Sequence, residues 1–458
     1  MAEKVSTTSD AAHVDPMGQK ESDARSVLSA PTETLPATTI EEPTTPPPAV
    51  QDGGLKAWLQ VLGCFFLWFN LWGYTFAFGT FQNYYEREYL VGTDPSAIAW
   101  IGSIQSFLLI ISGLWTGPLF DWGFYMYMII AGACLSTLGA FMLSLSTQFW
   151  QIFLTQGVCI GLGCGALFIP SMALISRAFV KNRAIAVGLT TCGAPVGGII
   201  YTLLFEAVIN KYGFAWTARI LGFFMLGTYC LAIPLLLLGA ENAKSLSVGQ
   251  TRKLFDSAAL RDPPFWLYTG SIFLSFMAYL VPYFYMPSYA QSILGATQSR
   301  ASYTLTLSQA ASIPGRLVAS LAANYLGVMV TWSGCAIMSG IIVLSWAGVS
   351  QYSGFAIFCA FYGAFSGPLV PLPPSIFPVV CPDMKVLGTR LGMAQSISAF
   401  ANLLGPPIAG AILKAGGSSE RRFLGVQLFT GLLLLCSTGF MFGLWRALVV
   451  RRGAKIWI

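Results

Sequence analysis

The residue with the clearest chemical demand is Arg316, in the run Ser312-Ile313-Pro314-Gly315-Arg316-Leu317 near the middle of an apolar stretch. A charged side chain at such a depth is expensive, and is nearly always paired or turned toward a cavity. No acid is expected at comparable depth, and Pro314-Gly315 loosens the helix beside it, which is tolerated where backbone lines a cavity. Two readings stand. In one, the planar guanidinium fork holds an anionic small organic molecule. In the other, the arginine is structural, bonded to backbone carbonyls or reaching for a membrane interface. Asn70 is the next candidate, because an amide in an apolar run needs a hydrogen-bond partner. Tyr283, together with Tyr279, Tyr285, Trp68, Phe69, Trp72 and Tyr74, is of the amphipathic type that lines a cavity beside Arg316 or sits at a membrane interface.

The sequence offers little for catalysis. Its one histidine, His13, lies in a polar N-terminal tail, so no imidazole is available within the apolar stretches for proton relay or metal binding. Glu206 is the one acid inside a predicted span, with Asp121 just past the end of another. The pattern argues against a membrane hydrolase or metalloenzyme, and neither a metal nor a cofactor is expected.

These residues are carried by a chain that lipid must solvate. Of 458 residues, 55% are hydrophobic and 10% charged, against about 25% charged in a typical soluble protein. The net charge of +6 arises from basic residues scattered singly between apolar stretches, with no basic patch for nucleic acid. The ten cysteines fall almost wholly in apolar stretches and read as small packing residues. Residues 1–52 are rich in Ser, Thr, Pro and Glu and read as a disordered cytoplasmic tail.

A bilayer core of about 30 Å needs about 20 helical residues, and twelve apolar runs of that length are predicted: 57–80, 96–119, 125–146, 150–176, 184–208, 217–239, 265–289, 302–325, 327–349, 354–378, 389–413 and 424–447. With both ends cytoplasmic, thirteen basic residues fall in inside segments and seven in outside loops, the asymmetry that sets orientation. A polar connector at 241–264 divides the chain into an N-terminal six-helix bundle, 53–240, and a C-terminal one, 265–450, followed by a short tail, 451–458. Small residues at four-residue spacing, Gly157, Gly161 and Gly165, then Gly193 and Gly197, are expected to let helices approach closely. Pro368, Pro371, Pro373, Pro374 and Pro378 make a straight tenth span unlikely to form.

Particular runs then resemble a known family. Asp52-Gly53-Gly54-Leu55-Lys56-Ala57-Trp58 entering the first span is similar to the first signature of the monocarboxylate transporter branch of the major facilitator superfamily. Phe179-Val180-Lys181-Asn182-Arg183-Ala184-Ile185-Ala186-Val187-Gly188 entering the fifth, followed by Gly193-Ala194-Pro195-Val196-Gly197, resembles the second. Leu387-Gly388-Thr389-Arg390-Leu391-Gly392 and Gly405-Pro406-Pro407-Ile408-Ala409-Gly410 extend the likeness over about 55–450, with the flavour of the fungal members.

The resemblance implies an all-α membrane protein of two six-helix bundles, a transporter alternating between inward-open and outward-open states around a midplane site. It implies monocarboxylates or other carboxyl-bearing metabolites as substrates, protons as a coupling ion, and residence in the cell membrane. It gives Arg316 the place of the family's carboxylate-binding arginine. Two features depart from the pattern: the acid one turn before that arginine is Ser312 here, and the lysine of span one falls around Phe78 or Gly79. Gly117-Pro118-Leu119-Phe120-Asp121-Trp122-Gly123 resembles the superfamily's Gly-x-x-x-Asp-x-x-Gly loop without its usual basic residues, which implies a gating role for Asp121, with Arg390 as a second gating candidate. Export of a fungal secondary metabolite is the alternative to nutrient uptake, and a non-transporting membrane sensor is the competitor from a different class.

Overall fold

Asp94 followed by Pro95, and Asp262 followed by Pro263 and Pro264, each open a helix with proline in its first turn, where a missing N–H costs nothing and the fixed φ suits the helix. The computed structural model describes residues 54–179, 183–238, 255–381, 386–417 and 420–452, and among these every regular element is helical. The predicted tail 1–52 and most of the predicted connector, 241–254, lie outside the described residues.

We number the long helices in chain order: α1 Leu55–Tyr89, α2 Pro95–Phe120, α3 Tyr125–Leu143, α4 Phe149–Ile175, α5 Ile185–Leu238 and α6 Pro263–Ser292. Then follow α7 Gln298–Leu326, and α8 Val328–Gly348, α9 Tyr352–Val380, α10 Leu387–Ala415 and α11 Leu424–Val450. Ten of these are long and apolar enough to cross a membrane. The tally differs from the predicted twelve for two physical reasons. The 54 residues of α5 cover both the fifth and sixth predicted spans, interrupted at Gly213, whose φ of 73° and ψ of 177° are not helical and suit glycine far better than any residue with a Cβ. The 29-residue α7 is long enough but carries too many Ser, Thr, Gln and Arg side chains to count as apolar. The prolines of α9 act as expected: the helix gives way to a 3₁₀ turn at Gly367–Leu369 and restarts at Pro373.

The outward faces are apolar, with Phe223, Leu231 and Leu237 of α5, Ile341 of α8 and Phe442 of α11 all exposed, a surface suited to lipid rather than water. Inward, close packing rests on glycine. A Cβ on Gly73 of α1 would come within 2.7 Å of the Gly197 Cα on α5, and Gly193 and Gly197 lie against the Phe65 and Phe69 carbonyls. Gly161 of α4 similarly lies against the Gln105 backbone of α2. In the trailing helices Gly315 of α7 lies on the Ala364 carbonyl of α9, Gly363 of α9 on the Ser308 carbonyl of α7, and Gly405 of α10 on the Met277 carbonyl of α6. Small residues at such crossings let backbones meet. The leading set, α1–α5, meets the trailing set, α6–α11, mainly where α2 packs on α10, α5 on α7, and the end of α1 on α6.

Candidate functional site

Along α7 the buried positions Ser308, Gln309, Ser312 and Arg316 recur at four- and seven-residue spacing, so they share one face of the helix. That face is turned to α5, which runs antiparallel to it: Thr191 is opposite Arg316, Gly198 opposite Gln309, and Glu206 opposite Ser302. Arg316 is 1% exposed. Its Nε donates to Ser312 Oγ at 3.2 Å and its Nη1 donates to the Thr191 carbonyl oxygen across the junction at 3.1 Å. These bonds use two of the guanidinium's five N–H donors. Among the described residues no carboxylate forms an ion pair with it. Room for the side chain comes from Gly367, at the start of the 3₁₀ turn in α9, where a Cβ would run into Ser312 Oγ and crowd Arg316 Cγ.

An aromatic wall faces this arginine. Tyr279 of α6 lies close enough for the Arg316 charge to act on its hydroxyl. Tyr279 and Tyr283 have ring centroids 5.6 Å apart, and Phe76 of α1 approaches them at 6.2 and 5.4 Å. Trp72 continues the wall at 5.8 Å from Phe76. Tyr283 shares a hydrogen bond of 2.9 Å with Ser366 of α9. Trp72 Nε1 in this wall, and both Nε2 and Oε1 of Gln309 on α7, are shut off from water and have no hydrogen-bond partner among the described residues.

The structure therefore brings Tyr283 to Arg316 and leaves other candidates elsewhere. Asn70 finds the partners it needs within the leading set: its Nδ2 donates to Thr228 Oγ1 at 2.9 Å, and its Oδ1 accepts from Tyr201 Oη at 2.6 Å and from Thr228 at 3.0 Å. Its amide is held in the packing of α1 on α5, with Phe69 against Tyr201 beside it. Arg390 forms ion pairs with Asp256 at 2.7 Å and Asp262 at 3.4 Å, both on the segment leading into α6, so these bonds tie α10 to its own set. Asp121 follows directly on α2, as the last residue of the helical stretch Gly113–Asp121, and its side chain lies outside the described residues. Gln309 escaped sequence reading, although it lies seven positions before Arg316 on the same face.

At the far end of the junction a second group of polar contacts ties the two sets. Glu206 Oε1 accepts from Ser302 Oγ at 2.6 Å and Gln298 Nε2 at 3.3 Å, and Glu86 accepts from Ser288 Oγ at 3.0 Å. Asn83 Nδ2 donates to Gln291 Oε1 at 3.0 Å, Ser96 Oγ to the Pro407 carbonyl at 2.8 Å, and Lys414 pairs with Asp94 at 2.7 Å.

Apolar helices enclosing a buried cation and unfulfilled polar atoms, where two helix sets meet, define a polytopic membrane carrier. Comparison with known proteins agrees. The Major Facilitator Superfamily profile matches residues 60–383. The chain is 34% identical over 410 residues to the MFS-type transporter dbaD of Emericella nidulans, covering 88% of this chain and 90% of that protein. It is 33% identical over 393 residues to the aspyridones efflux protein apdF of the same organism (86% and 78%), and 32% over 390 residues to the agnestins efflux protein AgnL12 of Paecilomyces divaricatus (84% and 86%). The chain belongs to the Major Facilitator Superfamily, and its role is transport across a membrane.

Proposed function

We propose that this carrier exports a small secondary metabolite bearing a carboxylate, by alternating access between a bundle of α1–α5 and a bundle of α6–α11. The observation that carries the reading is Arg316: fully buried, at the junction of the sets and without an acid partner among the described residues. Such a charge is costly unless function needs it. Its bond to the Thr191 carbonyl is what a structural arginine would make, and it is also a contact that a carboxylate can replace as the sets part. Between the two directions considered from sequence, the names of similar proteins, efflux proteins for aspyridones and for agnestins, favour export over monocarboxylate uptake. In this reading α7 and the two parts of α5 each cross the membrane, giving twelve crossings, and the cell membrane is the place of residence. Tyr283 belongs to the substrate wall. Arg390 and Asp121 serve the cytoplasmic face, and protons are the coupling ion.

Inside-out vesicles carrying the full chain test this with an equimolar panel of aromatic carboxylic acids and their methyl esters. Wild-type vesicles should accumulate at least one acid about tenfold over its ester, the factor that corresponds to about 1.4 kcal/mol. Arg316→Lys, which keeps the charge and loses the two-pronged fork, should lose most of that uptake at normal expression, and Arg316→Ala should lose it all. Normal acid transport by Arg316→Ala, or its absence from the membrane, would give the arginine to the structural reading.

A further inference from the structure

Gln309 is 1% exposed, and neither atom of its carboxamide has a partner among the described residues. Asn70, an amide equally buried, is satisfied by Tyr201 and Thr228; Gln82, Asn83, Gln105, Gln156 and Asn402 each leave one amide atom unmet, and among the described residues Gln309 alone leaves both. Leaving a buried donor or acceptor unpaired is costly, and Gln309 leaves both kinds unpaired side by side. The site is at the meeting of three elements: a Cβ on Gly198 of α5 would contact Gln309 Cγ and Phe76 Cβ at 3.2 Å each. It lies two turns from Arg316 on the same face of α7, which at 1.5 Å per residue is about 10 Å along the helix. Trp72, Phe76, Tyr279 and Tyr283 form the adjoining wall.

Resting on the proposed role of Arg316, we infer that Gln309 is a second recognition point, and that the substrate is a two-headed, aromatic-bodied molecule. One head is the carboxylate at Arg316. The other is an amide-like group, an acceptor beside a donor, about two helical turns away. Gln309 offers a complementary donor and acceptor, and the rings of α1 and α6 cover the body between the heads. A substrate of the right length supplies the bonds the closed junction lacks, so binding favours closure of the two sets around it. A molecule lacking the second head leaves the amide unpaired, and is discriminated against.

The full-length chain, purified in detergent, tests this by thermal stabilisation with three probes: 4′-carbamoylbiphenyl-4-carboxylate, whose polar groups stand about two helical turns apart, biphenyl-4-carboxylate, which lacks the amide, and 4-carbamoylbenzoate, which is too short. Wild type should bind the first about tenfold more tightly than either of the others, a factor of about 1.4 kcal/mol. In Gln309→Leu the preference for the carbamoyl acid over the plain acid should fall to within about twofold, while the protein without ligand melts no lower than wild type because an unpaired amide has been removed. Equal wild-type binding of the first two probes overturns the inference, as does an undiminished preference in Gln309→Leu. If Gln309→Leu fails to accumulate, Gln309→Met is used. Failure of both variants to fold assigns Gln309 to structure and likewise overturns the inference. Biphenyl-4-carboxylate against its methyl ester on wild type separates the two claims: no preference there sinks the reading of Arg316, whereas an acid preference without an amide preference sinks the inference alone.

Discussion

At the residue scale, two buried amides differ in what holds them: Asn70 is bonded by Tyr201 and Thr228, while Gln309 has no partner among the described residues. Arg316 stands out because one charge in an apolar run has strong hydropathy contrast, and the structure puts it at the junction of the two sets. Asn70 announces a need in the same way, yet its partners lie 131 and 158 residues further along the chain, a separation that composition does not encode. Gln309 makes no such contrast, sitting in a run already rich in Ser and Thr, and is legible only by counting seven residues back from Arg316. The fate of Asn70 gives a test of the packing role. Asn70→Leu strands Tyr201 Oη, while the Thr228 hydroxyl keeps the Met225 carbonyl at 2.8 Å, so melting in detergent should drop by the equivalent of about 1–3 kcal/mol, with probe affinity at Arg316 unchanged. A normal melting curve with lost affinity would return Asn70 to the binding site.

At the element scale the fold was most legible where backbone chemistry speaks directly. The prolines of α9 foretell its break, and the small residues of α4 and α5 foretell close crossings. The gap between spans five and six appears as the turn at Gly213. Less legible was α7, whose polar face lowers its hydropathy because that face meets α5 and α6 rather than lipid. Its hold on α9 depends on Gly363 lying against the Ser308 carbonyl, with no space for a Cβ. Gly363→Val should therefore sharply reduce folded protein in the membrane, measured as monodisperse material on fluorescence-detected size exclusion. Gly227 of α5 has nothing within 4 Å of its missing Cβ. Gly227→Ala should fold as well as wild type or gain up to about 1 kcal/mol from helix propensity. Equal behaviour of the two variants would contradict the packing described for α7 and α9.

At the scale of the whole molecule, the asymmetry of composition fixed the class, and two helix sets with polar contacts along their junction supply what a carrier needs: a closure that can be undone. The contacts at the Glu206 end are hydrogen bonds and one exposed ion pair rather than an apolar core, interactions of modest net strength that water can replace when the sets part. The Arg316 end, in contrast, buries a charge that has no acid partner among the described residues. The most direct test is a structure of the full-length chain determined with an acid that the vesicle assay shows to be transported. The account expects the ligand's carboxylate within hydrogen-bond distance of the Arg316 guanidinium, between α5, α6 and α7, with the ring of the acid against Phe76, Tyr279 or Tyr283. Density for the acid elsewhere, with Arg316 still donating to Ser312 and to the Thr191 carbonyl, would contradict it.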